Sequence, residues 1–288
     1  LAQEAKTTIS SASREVTIAR SMPTTIIGER INPTGRKRLQ TELKEGNFDT
    51  VRQDAVAQVE AGAAILDVNA GVPGVDEAVL LVDLIKVIRE VTDVPLCIDT
   101  ASFKALEAAL KVYDGKALVN SVNAEEDKLR NILPLIAEHG AAVIGLTLDD
   151  EGIPKTVDKR LFLAEKIIKR AEKEGISVEN IIIDPLALSI GTEEDAGLIV
   201  MKSIEEIIKQ FGVNITLGAS NISFGLPDRP SINSTFMAMA IYSGLTCPIT
   251  NPLEEQVKKA ILAADLCKGT DENARNWLSA YRKSKKNA

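Results

Sequence analysis

Eight times along the chain a short, unbroken apolar run ends in polar residues and gives way to an amphipathic stretch. The runs are TTIIGERIN (24–32), AAILDVNA (63–70), VPLCIDT (94–100), KALVNSV (116–122), AAVIGLTLD (141–149), IIIDPLA (181–187), ITLGASN (215–221) and TCPITNP (246–252). The stretches 51–61, 75–91, 104–112, 125–138, 158–174, 195–211, 231–243 and 253–267 carry apolar residues at helical spacing. Strands that are apolar on both faces need cover on both faces, as parallel sheets between helices have. Eight strands alternating with eight helices predict an α/β fold, a (β/α)8 TIM barrel. An open doubly wound sheet is the runner-up, but it usually has fewer strands or a second domain. The 288 residues are enough for one barrel of roughly 250 residues.

Residues 1–22 stand apart. TTIS (7–10) and EVTIA (15–19) flank SASR, which predicts an N-terminal hairpin or extended arm capping one barrel mouth. A disordered tail is the alternative. Residues 23–288 are expected to form the barrel, with an extra helix over 271–283 and a solvated basic end, RKSKK. The first residue is Leu, so an upstream piece is expected. The net charge of −7 argues against a nucleic-acid groove. The scattered cysteines Cys97, Cys247 and Cys267 form no CxxC and no disulfide framework, which favours a reducing cytoplasm. Neither a signal peptide nor an apolar run of roughly 18 residues is visible, so no membrane span is expected.

A barrel's site lies at the carboxyl ends of its strands. Those ends carry Glu29, Arg30 and Asn32; Asp67 and Asn69; Asp99; Asn120 and Asn123; Thr147 and Asp149; Asp184; Ser220 and Asn221; and Asn251. One acid at such a place can simply cap the next helix; three (Asp67, Asp99 and Asp184) argue for a shared lining. After Leu217, the small residues Gly218 and Ser220 let a flat ligand approach the backbone. Asn221 offers a donor or an acceptor, and Arg229 a charged fork. GxGxxG and GKS/T are absent. The single histidine, His139, precedes the fifth strand, at the end away from the expected site, and reads as structural. No metal site is expected. The lining suits a neutral, donor-rich, flat heterocycle: a carboxylate can accept two parallel N–H bonds from an aminopyrimidine edge.

GERINPTG (28–35), LDVNAG (66–71), CIDT (97–100), LVNSVNAE (118–125), GLTLDDEGIP (145–154), DPLALSIG (184–191) and GASN…RPSIN (218–233) together resemble the pterin-binding barrel family. That family includes dihydropteroate synthase, the folate domain of cobalamin-dependent methionine synthase and the methyltetrahydrofolate–corrinoid protein methyltransferases, which the motifs resemble most. The resemblance implies that Asp99, Asn120 and Asp184 hold the pterin's pyrimidine ring. It implies that Asn221 contacts the reactive nitrogen, with Gly218 and Ser220 as supporting backbone. Arg229 matches an Arg of the following loop, and Asp67, Asn69, Glu29 and Asn32 match polar positions of the same mouth. The pattern departs at Phe224, where some relatives have Gln.

The implied reaction is methyl transfer between tetrahydrofolate (or methyltetrahydrofolate) and the cobalt of a corrinoid. Asn221 and Asp99 are the catalytic candidates, Asn221 as a hydrogen-bonding group at the nitrogen and Asp99 as a participant in proton movement. The corrinoid-binding DxHxxG signature is absent, since His139 sits in AEHGAA, so the corrinoid is expected on a partner protein. The resemblance also implies a homodimer; the apolar, Met-containing helix over 235–242 reads equally well as a contributor to it and as barrel core. Two alternatives stand beside this: a dihydropteroate synthase, disfavoured because TCPITNP lacks a basic residue, and a non-catalytic pterin-binding component.

Overall fold

The computed structural model describes residues 2–286; residues 1, 287 and 288, which fall within the expected arm and barrel segments, lie outside the described residues. An antiparallel hairpin, β1 (Thr7–Ser10) and β2 (Glu15–Ile18), comes first. Eight parallel strands follow: β3 (Ile27–Ile31), β4 (Ile65–Asn69), β5 (Leu96–Asp99), β6 (Leu118–Asn123), β7 (Ala142–Leu146), β8 (Ile181–Asp184), β9 (Asn214–Ile215) and β10 (Ile249–Thr250). Their order in the sheet is β10-β3-β4-β5-β6-β7-β8-β9. A parallel bridge between Gly218 and Ile249 joins the two edges, with the Ile249 N–H donating to the Leu217 carbonyl at 2.9 Å. The expected (β/α)8 barrel is what forms.

The strands alternate with α2 (Asp49–Ala61), α3 (Glu77–Val91), α4 (Phe103–Val112), α5 (Glu126–Glu138), α6 (Val157–Lys173), α7 (Ala196–Phe211), α8 (Arg229–Ser243) and α9 (Glu255–Lys268), and α10 (Arg275–Lys286) closes the chain. Two cores result. The larger lies between sheet and helices and includes Leu66, Val68, Leu81, Leu84, Ile98, Val143, Ile167 and Ile183. The smaller fills the barrel: Ile27, Ile65, Cys97, Leu118, Ala142, Ile144, Ile182 and Cys247. Successive side chains of a strand point to opposite faces, so Leu66 and Ile65 join different cores.

The hairpin completes the inner core with Ile9 and Ile18, both fully buried. Its polar bonds to the barrel go to the strands' amino-terminal end. Buried Asn214 donates through Nδ2 to Thr7 Oγ1 and to the Ile18 carbonyl, both at 2.9 Å. Thr7 Oγ1 donates to the Glu179 carbonyl at 2.6 Å, and the Tyr113 hydroxyl to the Ser10 carbonyl at 3.0 Å.

Two details differ from the periodic reading. A helix α1 (Lys37–Lys44) precedes α2, and only Leu39 and Leu43 of it are buried. The seventh strand is cut short, because residues Ala219–Ser223 form a 3-10 turn. There the Asn221 N–H turns back to the Gly218 carbonyl (3.2 Å) and the Phe224 N–H to that of Asn221 (3.1 Å), taking groups a ladder would use. No helix among the described residues is long and apolar enough to cross a membrane.

Candidate active site

The in-register pairing of β4, β5 and β6 decides the geometry on one side of the mouth. Asn69 lies opposite Asp99, and Asp99 opposite Asn120. Asn69 donates through Nδ2 to Asp99 Oδ2 at 3.0 Å, while its Oδ1 accepts from the Gly71 N–H at 2.8 Å. Asn120 donates through Nδ2 to Asp67 Oδ1 at 3.1 Å. Both amides are thereby oriented, and the Asn120 carbonyl oxygen is left as the acceptor it offers a ligand. Asp67 is buried beneath this row, whereas Asp99 and Asn120 are half-buried. The Asn120–Ser121 peptide bond is cis.

Burial raises the pKa of Asp67 and Asp99. The charge of Asp99 pushes Asp67 up further, and that of Glu77 does the same to Asp99, while the Asn120 and Asn69 amides oppose the shifts. Glu77 itself accepts a hydrogen bond from Thr100 Oγ1.

The other side of the mouth is built from β8 and the turn after β9. Asp184, buried at the tip of β8, accepts from the Leu186 N–H at 2.7 Å and from the Gly218 N–H. Burial pushes it up to about 7, against the pull of those two donors and of Arg160. A Cβ on Gly218 would stand 3.2 Å from Asn221 Nδ2, so glycine makes room for that amide. Arg229 secures the turn, donating through Nε to Ser223 Oγ (3.0 Å) and through Nη2 to the Ser220 carbonyl (2.8 Å). Part of the fork expected for an anion thus holds the Asn221 loop. Asn221 itself is exposed.

Glu29 links the halves. Burial raises its pKa, the charges of Arg30 and Arg229 lower it, and its own charge raises that of Asp67. Thr147 is buried with no hydrogen-bond partner for Oγ1 among the described residues, and most of the remaining strand-end residues serve local turns. Asn32 accepts from the Thr34 N–H (2.9 Å), Asn251 from the Leu253 N–H (3.1 Å), Asn123 bonds Glu125 (2.7 Å), and Asp149 pairs with Lys159 (3.0 Å). Arg30 and Arg36 share Asp54. His139 caps α5, its Nδ1 being 3.0 Å from the Leu135 carbonyl oxygen. Sequence reasoning missed Gln58, whose Oε1 accepts from the Arg30 N–H (2.8 Å), and Arg160, which is fully buried.

The profile of the family described as "Pterin binding enzyme" matches residues 28–251, most of the chain and all of the strand tips described above. The chain belongs to that family. Among curated relatives, this pterin-binding barrel is 34% identical over 266 residues to the methylcorrinoid:tetrahydrofolate methyltransferase of Eubacterium limosum, covering 90% of this chain and 97% of the relative. It is 30% identical over 256 residues to the methionine synthase of Mycobacterium tuberculosis, covering 84% of this chain but 22% of that much longer protein. In fold it is similar to the dihydropteroate synthases of Xanthomonas albilineans (TM-score 0.70, 19% identity, 91% of this chain and 98% of that one) and Yersinia pestis (0.67, 16%, 93% and 100%). The resemblance drawn from the seven motifs is borne out, and with it the expectation of an enzyme.

Proposed function

We propose that this pterin-binding enzyme transfers a methyl group between tetrahydrofolate and the cobalt of a corrinoid carried by a separate protein. The observation that carries the reading is the acid–amide row Asp67–Asn120 and Asn69–Asp99, with Asp184 at the tip of β8, in a chain so similar to a relative named for that reaction. Asp99 and Asp184 would accept N–H bonds from the pterin's aminopyrimidine edge, and Asn120 would add its carbonyl oxygen. Such an edge restores the solvation that burial removed and so favours the carboxylates. Asn221 has no proton to give at neutral pH, but its amide can stabilise the ring nitrogen while the bond to the methyl group forms or breaks. In the direction that methylates the folate, the nitrogen lone pair forms the N–CH3 bond. The electron pair of the broken Co–CH3 bond stays with the metal, and the nitrogen's proton leaves to solvent through a hydrogen-bonded network in which Asp99 takes part. Holding two large reactants face to face would supply much of the rate.

The test mixes the protein with tetrahydrofolate and a methylated corrinoid protein and follows the cobalt spectrum. Loss of the methyl–cobalt band, dependent on both protein and folate, is expected. No change with folate binding intact would leave a non-catalytic pterin binder. Asn221→Ala should slow the transfer roughly 100-fold, the scale for a lost transition-state hydrogen bond, and weaken pterin binding much less. Equal, small effects on both would remove the assigned role.

The setting we propose is the cytoplasm, as one component of an anaerobic demethylase or acetyl-CoA-type one-carbon pathway. Residues 23–288 would be the catalytic barrel and 1–22 its arm. Exposed Phe224, Leu253 and Ile153 on loops, and Phe103 at the start of α4, all following strand tips, offer an apolar rim for the corrinoid protein. A homodimer would form across the apolar groove of about 920 Å³ between α7 and α8, lined by Leu198, Met201, Phe236, Met239 and Tyr242.

A further inference from the structure

Arg160, in the first turns of α6, is fully buried. Its Nε donates to the Pro154 carbonyl at 2.9 Å, in the loop after β7. Its Nη1 donates to the Leu186 carbonyl at 2.8 Å, in the loop after β8. Its Nη2 is buried without a hydrogen-bond partner. Leu186 has a left-handed backbone, φ 65°, which costs a side-chain-bearing residue roughly 1–2 kcal/mol. Two bonds hold it there: Arg160 on its carbonyl, and Asp184 on its N–H at 2.7 Å. One residue therefore stands between a buried guanidinium and a buried carboxylate.

A guanidinium buried without a counter-charge is costly. Two backbone carbonyls could be satisfied by a neutral side chain, so hydrogen bonding alone does not account for a cation here. The titratable groups facing Asp184 are Arg160 from α6 and Cys247 from the segment before β10. Cys247 is pushed up to about 12 by burial, so it remains a neutral thiol and Arg160 is the charge Asp184 senses.

We propose that Arg160 is a positioning residue of the site, tying the loops after β7 and β8 together and supplying the counter-charge that lets Asp184 meet an N–H-rich ring as a carboxylate. The ligand half of this statement rests on the pterin-binding reading; the charge pairing does not.

Two measurements test it. The first is a thermal double-variant cycle on Arg160→Gln and Asp184→Asn at pH 8.5 and 5.5. At pH 8.5 Asp184→Asn should lower Tm more when Arg160 is present than when Gln replaces it, because only the former strands a cation. At pH 5.5, with Asp184 protonated, the two losses should add. Additivity at both values would overturn the pairing. The second is tetrahydrofolate affinity against pH. Arg160→Gln should move the midpoint up by about one unit, roughly fivefold weaker binding near pH 7 but little change at pH 9. A uniform loss at every pH would reduce Arg160 to a loop clamp and overturn the proposal. Should Arg160→Gln not fold, Arg160→Lys decides: with the charge kept, its midpoint should stay at the native value, and an upward shift would overturn the proposal. If the native protein bound no tetrahydrofolate, the proposed function would fall while the thermal cycle still judged the pairing.

Discussion

Asn120 is useful to a ligand because its amide cannot turn over. Asp67 accepts its Nδ2 proton, which fixes the carbonyl oxygen as the remaining acceptor. Asp67→Ala should release that constraint and weaken tetrahydrofolate binding by roughly tenfold, the scale of one net hydrogen bond; fluorescence titration would read it, and unchanged affinity would mean that Asn120 is oriented by other contacts. Asp184 sets a pH dependence of definite sign. Its pKa stands near 7 in the free site, and a donor-rich ring needs the carboxylate. Binding below that pH must expel a proton, so affinity should fall about fivefold as pH drops from 7 to 6, approach tenfold per unit below that, and level off above 8. A profile flat from 6 to 8 would remove Asp184 from the ligand's contacts. The sequence named both acids, since each follows an apolar run. It did not separate them by depth: Asp67 lies under the row because β4, β5 and β6 pair in one register, which is a relation among three strands. Arg160 left a signal that went unread. It shares its helix stripe with Leu163, Ala164, Ile167 and Ala171, all buried, and a charge on an apolar stripe needs a partner.

Elements with long apolar runs were legible; those made by local chemistry were not. Helix α1 has two buried leucines in a polar run, too few to register as a period. The end of β9 is written in small residues that suit a strand tip and a 3-10 turn equally, and the turn forms because Arg229 and backbone bonds gather it. The amino-terminal hairpin makes a sharper case. Its Ile9 and Ile18 are part of the barrel's own interior, so truncation leaves cavities in a packed space. Ile9→Ala and Ile18→Ala should each cost about 2–5 kcal/mol in urea unfolding. Tetrahydrofolate affinity should stay unchanged under native conditions, because the hairpin's bonds all lie at the end of the barrel opposite the strand tips.

At the scale of the whole molecule, a second exposed apolar surface lies apart from the rim around the strand tips, between α7 and α8. There Tyr242 is 81% exposed beside Met239 and Leu198, and such a patch marks an interaction surface. Tyr242→Glu should convert the proposed dimer to a monomer in light scattering while leaving the far-UV circular dichroism spectrum unchanged; a native protein that is already monomeric would remove the dimer. The groove was hard to read from sequence because α8 carries buried and exposed apolar residues on different sides, which blurs any single stripe. The hairpin has a consequence for traffic. With Ile9 and Ile18 stoppering the lower opening, the barrel is a blind well with one doorway. In the proposed reaction a macrocycle resting across that doorway would seal whatever lies beneath it, so the smaller reactant would have to go in first and come out last.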